Sequence, residues 1–341
     1  MMLKLRRMTT GLLLSTCLIL SNNATAQGDL GFDEFLRAGA EDANTILGNY
    51  ISPFARGFGF GMASGWYNTA KAHKPLGFDL TVTASLAKTP QKDLFFTFIE
   101  NDYNNLRLLG GGSTELPTIF GGDTNEQLET EFSGVTETFQ APPGIDVEDF
   151  GGYVPVPMIQ LGLGLVKNTD LKVRYIPTQK SEEDGYEVGL FGIGIMHDFK
   201  QWIPGIKTVP LDLSIFVGYT KLTTDFDLSD SDITNNGTSS YNVNALTYQV
   251  LASKKLSVLT LYAGLGFNSV TSNMNMLGDY EIPASGGGTI PLKDPIDLSF
   301  NSSGPRATLG FRLKLLIISI HADYTIQEYN TITAGIGITV R

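Results

Sequence analysis

Apolar and polar residues alternate along most of this chain, and nowhere more regularly than at its end. Over residues 331–341, Ile332, Ala334, Ile336, Ile338 and Val340 share one parity, while Thr333, Gly335, Gly337 and Thr339 share the other. A period of two belongs to a β-strand with one face in apolar surroundings and the other in a polar or crowded place. The pattern recurs at 76–88, 158–166, 171–178, 186–199, 211–224, 241–253, 257–270, 306–314 and 317–327. Strands of soluble sheets are commonly about 5–6 residues long, whereas most of these reach the roughly 9–11 that a tilted strand needs to cross a bilayer.

The connections between these segments are unequal. Short turns fall at 167–170, 254–256, 314–316 and 328–330, and long polar excursions at 110–152, 225–240 and 273–295. Short turns at one end and long loops at the other mark outer-membrane barrels. With 94–103 and one strand within 126–140 added, the expectation is an all-β fold, a transmembrane antiparallel barrel of about 12–14 strands, an even number as usual for a single-chain barrel.

One stretch has a different period. From Phe32 onward, Phe35, Leu36, Ala40, Ala43, Ile46, Leu47 and Tyr50 recur at steps of three and four, Asp29 can cap the start, Asp33 faces Arg37, and Gly48 and Pro53 punctuate the end. This predicts a short amphipathic helix within 27–53, with Phe35, Leu36, Ile46 and Leu47 as the apolar stripe of a candidate plug. The stripe fits a helix lying on a barrel end as well as one inside the lumen. Beyond Pro53, the Phe54, Phe58, Phe60, Met62 and Trp66 parity opposes Gly57, Gly59, Gly61 and Gly65, which predicts a first barrel strand with a bare face that another backbone can approach.

The first residues set the route. Lys4, Arg6 and Arg7 precede the apolar run 11–20, and Ala24-Thr25-Ala26 places small residues before Gln27, so 1–26 reads as a cleaved export signal. A lipid anchor on Cys17 fits less well, because Thr16 is bulky for that site and Leu18, Ile19 and Leu20 continue the run. The expected domains are the signal 1–26, the helix 27–53 and the barrel 54–341. Removing three basic residues with the signal leaves 21 against 35 acidic ones, a balance of −14 that disfavours nucleic acid. Cys17 is the sole cysteine, so the mature chain has no disulfide, thiolate metal site or cysteine nucleophile.

Parity also assigns an inner face. Arg306, Arg312 and Lys314 on one strand, with Ser319, His321 and Asp323 on the next, form a candidate lumen-facing polar cluster in which basic and acidic groups neutralise one another. Ser319, His321 and Asp323 suggest a catalytic triad, yet residues i and i+2 of a strand stand roughly 6.6–7 Å apart, too far for hydrogen bonding unaided. No catalytic, cofactor or metal site is expected: the three histidines are scattered, and Asp225, Asp227, Asp230 and Asp232 precede Asn236 where an EF-hand needs glutamate. His197-Asp198 lies just before Trp202, which suits an interfacial aromatic girdle.

Three stretches together resemble a known family: Arg174-Tyr175-Ile176-Pro177; GIGIMHDF at 192–199 followed by Gln201-Trp202-Ile203-Pro204; and Gly65-Trp66-Tyr67-Asn68-Thr69-Ala70. They resemble an outer-membrane barrel family of diderm (Gram-negative) bacteria without established function, and in broad shape the long-chain fatty-acid outer-membrane transporters. The Asn-Pro-Ala turn motif of the transporter class is missing, so its hatch mechanism is not implied. The resemblance implies an outer-membrane location, with membrane lipids and the barrel-assembly machinery as partners and no cofactor. The expected function is passage or uptake of a small solute, an apolar one included; the alternative is a structural or surface-binding barrel acting through its external loops.

Overall fold

The long alternating segments pair into one closed sheet, and its faces are inverted relative to a soluble protein. A computed structural model describes residues 35–111, 114–144, 152–181, 185–228, 234, 236–284 and 288–340. The export signal, Asp29, Phe32, Asp33, Asp230 and Asp232 lie outside the described residues.

The wall is built from β1 (Phe78–Lys88), β7 (Tyr153–Leu165), β8 (Thr169–Ser181), β9 (Tyr186–Asp198), β10 (Asp212–Asp227), β11 (Thr238–Leu256), β12 (Leu259–Leu277), β15 (Ile296–Leu315), β16 (Ile318–Ile326) and β17 (Thr331–Val340). Each neighbouring pair is antiparallel, and β1 closes the barrel by pairing with β17 on one side and β7 on the other. On β1, Leu80 and Val82 are 45% and 48% exposed while Thr81 and Thr83 are 3%. An outward apolar belt around a polar interior is stable against lipid and costly against water. Short turns such as the three residues 166–168, where Lys167 and Asn168 both have positive φ, join strands at one end.

The barrel has ten strands, not 12–14. Segments 94–103 and 126–140, expected in the wall, instead hold β2 (Phe95–Thr97), β5 (Gln127–Phe132) and β6 (Val135–Gln140), which with β3 (Leu106–Leu108) and β4 (Glu115–Pro117) between them pair only among themselves. With the hairpin β13 (Asp279–Pro283) and β14 (Thr289–Lys293), these small sheets form a cap at the long-loop end. The physical reason is length: three to six residues cannot span a bilayer, but they can cover an apolar cluster.

The second correction concerns the predicted first strand. Residues 54–62 are helical: α1 runs Ala40–Met62 straight through Gly48 and Pro53. Its N-terminal half lies under the cap and its C-terminal half enters the barrel, where wall surrounds it. A Cβ on Gly57 would stand 2.8 Å from Val154 on β7, one on Gly61 2.5 Å from Val156, and one on Gly59 2.0 Å from Val270 on β12. Where every side of a helix meets packing, side-chain size follows the local gap and the usual one-sided period disappears. The bare face does admit a close approach, as expected, but of a helix to wall valines.

The expected plug stripe is placed by the same division. Phe35, Leu36, Ile46 and Leu47 pack with Leu106, Leu116, Leu128, Phe139, Ile282 and Ile290 of the cap, while Phe58, Phe60 and Met62 pack with Val154, Val156, Met158 and Val270 of the wall. Those four residues therefore lie among cap residues, and it is the helix end beyond them that enters the barrel.

Candidate functional site

Below α1 the chain descends through the lumen as an extended strap, residues 63–75, before turning out into β1. Gly65 makes this path possible, with a positive φ of 73° and Thr83 Oγ1 only 3.2 Å from where a Cβ would stand. The strap is held mostly through its backbone. Arg174 of β8 donates from Nη1 to the Met62 carbonyl at 2.7 Å and from Nη2 to the Ser64 carbonyl at 2.6 Å. From the opposite wall, Arg306 of β15 donates to the Ala63 carbonyl at 2.9 Å and to Asn268 Oδ1 at 2.9 Å, with Ser64 Oγ 3.4 Å away. Lower down, Gln160 donates to the Trp66 carbonyl at 3.0 Å, Ser214 to the Ala70 carbonyl at 2.6 Å, and the Ala70 amide donates to Ser253 Oγ at 3.0 Å.

Aromatic rings fill the space beside these bonds. The Arg174 guanidinium lies 3.7 Å from the Trp66 ring centroid, a cation–π contact, and Trp66 packs on Phe216 at 5.5 Å. The inward positions opposite are glycines for a reason: a Cβ on Gly194 would meet the Trp66 ring at 3.0 Å and one on Gly218 at 2.8 Å. Tyr67 donates to Gln249 Oε1 at 2.6 Å. The three stretches that carried the family resemblance thus meet at one place, Trp66 against Arg174 and Gly194.

At the short-turn end the strap is pinned by charge. The His73 amide and Nδ1 both reach the Asp170 carboxylate at 2.8 Å, and His73 Nε2 lies 3.5 Å from Asp79, which also has Lys172 at 4.0 Å and the Thr81 hydroxyl at 2.9 Å. The sequence showed only His73 in a basic turn; the parity of Asp170, Lys172 and Arg174 was a legible sign of a polar inner face.

The candidate polar cluster is partly assembled. Arg306, Arg312, Ser319, His321 and Asp323 are buried and inward, whereas Lys314 is half-buried at the rim. Among the described residues no ion pair within 4.0 Å joins them, though Arg306 and Asp323 act on each other through space. Arg306 binds the strap, Arg312 donates to Thr339 at 2.8 Å, and Asp323 accepts from the Tyr262 hydroxyl at 2.8 Å. Ser319 Oγ faces Gly337 O and Thr339, and His321 Nδ1 has no partner among the described residues, so nothing links the three triad-like side chains. His197, between Thr169 and Trp202 Nε1 at 2.8 and 2.9 Å, braces the short-turn rim.

Residues 3–340 match the model of a family described as "Family of unknown function (DUF6588)". The chain belongs to that family. No curated protein matches the sequence. Among solved structures, the chain is similar to the attachment invasion locus protein Ail of Yersinia pestis, at 7% identity, TM-score 0.25, and coverage of 77% of this chain and 97% of that one. It is also similar to the translocator domain of the autotransporter NalP from Neisseria meningitidis, at 11% identity, TM-score 0.28 and coverage of 79% and 90%. A third similar structure, the toluene transporter TbuX of Ralstonia pickettii, has 9% identity, TM-score 0.30 and coverage of 84% and 80%.

Proposed function

We propose that this protein is a bacterial outer-membrane barrel that passes a small solute when its own strap yields. The location is supported by the outward apolar belt, which suits lipid, and by the export signal read in the first 26 residues. The observation that carries passage is the way the lumen is closed. At mid-height the obstruction is backbone held by side-chain hydrogen bonds from the wall, each worth about 0.5–1.5 kcal/mol net, or roughly 1.5–3 where a guanidinium donates, and water or a solute can replace them. The strap is tethered at both ends, so it can shift without being lost.

A lock tests this reading. Thr69 Oγ1 and Ser253 Oγ lie 3.2 Å apart across the strap–wall gap, a spacing that suits a cysteine pair, and the mature chain offers no competing thiol. In planar bilayers, Thr69→Cys/Ser253→Cys is expected to show solute-permeable openings when reduced and none when oxidised. Identical traces in both states, with the disulfide confirmed by mass, would remove the strap from any gating role.

The second reading is a surface-binding barrel acting through its long-loop end. It is favoured by the cap, which has an apolar cluster of its own built from α1 and seven small strands, more structure than closure of a pore requires.

A further inference from the structure

The lumen side chains identify what kind of solute would be admitted. On the passage reading, the strap is the occupant that a solute must replace, so the wall groups now serving the strap are the groups a solute would meet. They are all polar and buried: Arg174, Arg306, Gln160 and Ser214 donate to the strap, while Gln249 Oε1 and Ser253 Oγ accept from it, a mixed set that a hydroxyl-bearing solute can match. An apolar solute in their midst would leave two guanidiniums and several amides unsatisfied, each at the cost of a buried polar group without a partner.

At this height two cations, Arg174 and Arg306, face one acid, Asp323, which acts on Arg306 through space and accepts the Tyr262 hydroxyl at 2.8 Å. Arg174 and Arg306 converge on one residue, Arg174 on the Ser64 carbonyl and Arg306 3.4 Å from its hydroxyl. Among the described residues neither has a carboxylate within 4.0 Å, whereas the acids nearer the short-turn end, Asp79 and Asp170, have Lys172 and His73. Arg306 Nε is buried without an acceptor even with the strap in place. When Ser64 moves, two cations lose oxygen acceptors together. The faces of Phe216 and Tyr262, which now pack on Trp66 and Tyr67, remain on the wall and can receive the C–H face of a ring.

We infer that the solute is small and oxygen-rich, of the carbohydrate class with sugar acids preferred, and that it seats between Arg174 and Arg306 where Ser64 now stands. The apolar solute raised by the sequence is disfavoured by the same chemistry. This rests on passage through the lumen, and the test separates the two ideas.

Trp66→Ala removes the ring that anchors the strap and, with it, the cation–π partner of Arg174, while both guanidiniums of the proposed seat stay in place. Tyr67→Ala, which leaves the Arg174 contact untouched, is the second opener and must show the same preference. Proteoliposomes of each are compared with wild type for swelling in glucose, potassium gluconate and glucosamine hydrochloride, and for protein-dependent transfer of pyrene. The expected result is faster swelling of the opened variants in glucose and gluconate, with gluconate entering about tenfold faster than glucosamine, the low end of what a cleft lined by one sign of charge achieves. Adding Arg306→Gln should then erase most of that preference. Glucosamine entering as fast as gluconate, or pyrene carried while the sugars are excluded, would overturn the sugar-acid assignment and leave passage standing. If neither opened variant, correctly folded, carries any of the four, both ideas fall.

Discussion

The two halves of the N-terminal segment are held in opposite ways. Above the barrel, Phe35 through Ile51 is buried by apolar side chains of the cap, and its main polar anchor is Asp42, whose carboxylate accepts the amides of Asn104, Asn105 and Leu106 at 2.7–3.0 Å. Inside the barrel, the strap from Ala63 to Ala70 is held by wall side chains reaching its backbone, with a smaller aromatic cluster beside them. Apolar burial has no substitute in water, so the cap half is a fixed lid support. Hydrogen bonds to a backbone can be traded, so the strap half is the part suited to move.

The comparison is tested most strongly in the cap. Ile46, 1% exposed, sits in the cap cluster and not in the lumen. Ile46→Ala is expected to destabilise the cap by about 2–5 kcal/mol, the usual cost of such a truncation in a packed interior. Protease should then cut 95–140 faster, while the barrel keeps its heat-modifiable mobility on gels and its conductance stays as in wild type. A rise in conductance with an intact cap would mean that this half of the segment closes the lumen after all.

Much of the wall was legible because lipid outside and polar groups inside impose opposite demands on alternate residues, as in Asp79, Thr81, Thr83 and Ser85 against Phe78, Leu80 and Val82. The pattern failed where that contrast fails. The upper reaches of β11, β12 and β15, such as Asn273 and Asn275 or Ser299 and Asn301, rise beyond the belt with polar residues facing outward, so they read as loop. The short cap strands alternate too, and were counted into the wall. The helix end at 54–62 lost its period because it is enclosed on all sides. The hold of Arg174 and Arg306 on the strap was not legible, although Arg306 was placed in the lumen-facing cluster and Arg174 in a family motif, because their partners there are backbone atoms more than 100 residues away.

A smaller and graded effect should come from alkaline pH, and again in the cap. Burial pushes the Tyr103 hydroxyl from 10.0 up to about 12, and it also raises Tyr50 and Tyr280. A phenol held neutral by the fold ionises more readily once unfolded, so its contribution is complete below pH 10 and is lost as pH rises through about 12. Cap protection against protease should therefore decline across that window, with the Phe98–Tyr103 stack, 4.5 Å between centroids, reporting the change in near-ultraviolet dichroism. A change already complete near pH 10 would show that the cap tyrosines are more open to water than their packing indicates.

The smallest expected effect falls on the strap, and it separates the two modes of attachment most directly. Tyr67→Phe keeps the ring against Phe216 and Tyr262 and deletes only the hydroxyl that donates to Gln249. If apolar burial held the strap as it holds the cap, this change would be silent. Because hydrogen bonds hold it, the loss should be about 0.5–1.5 kcal/mol, up to roughly a tenfold fall in hydrogen-exchange protection of the strap amides, with the amides of α1 beneath the cap unaffected. Openings in the bilayer should become more frequent in the same proportion, since the closed state loses one of its bonds and the open state loses none. Protection unchanged in the strap, or lost equally in strap and cap, would show that the two halves move as one body and that the contrast between them is not functional.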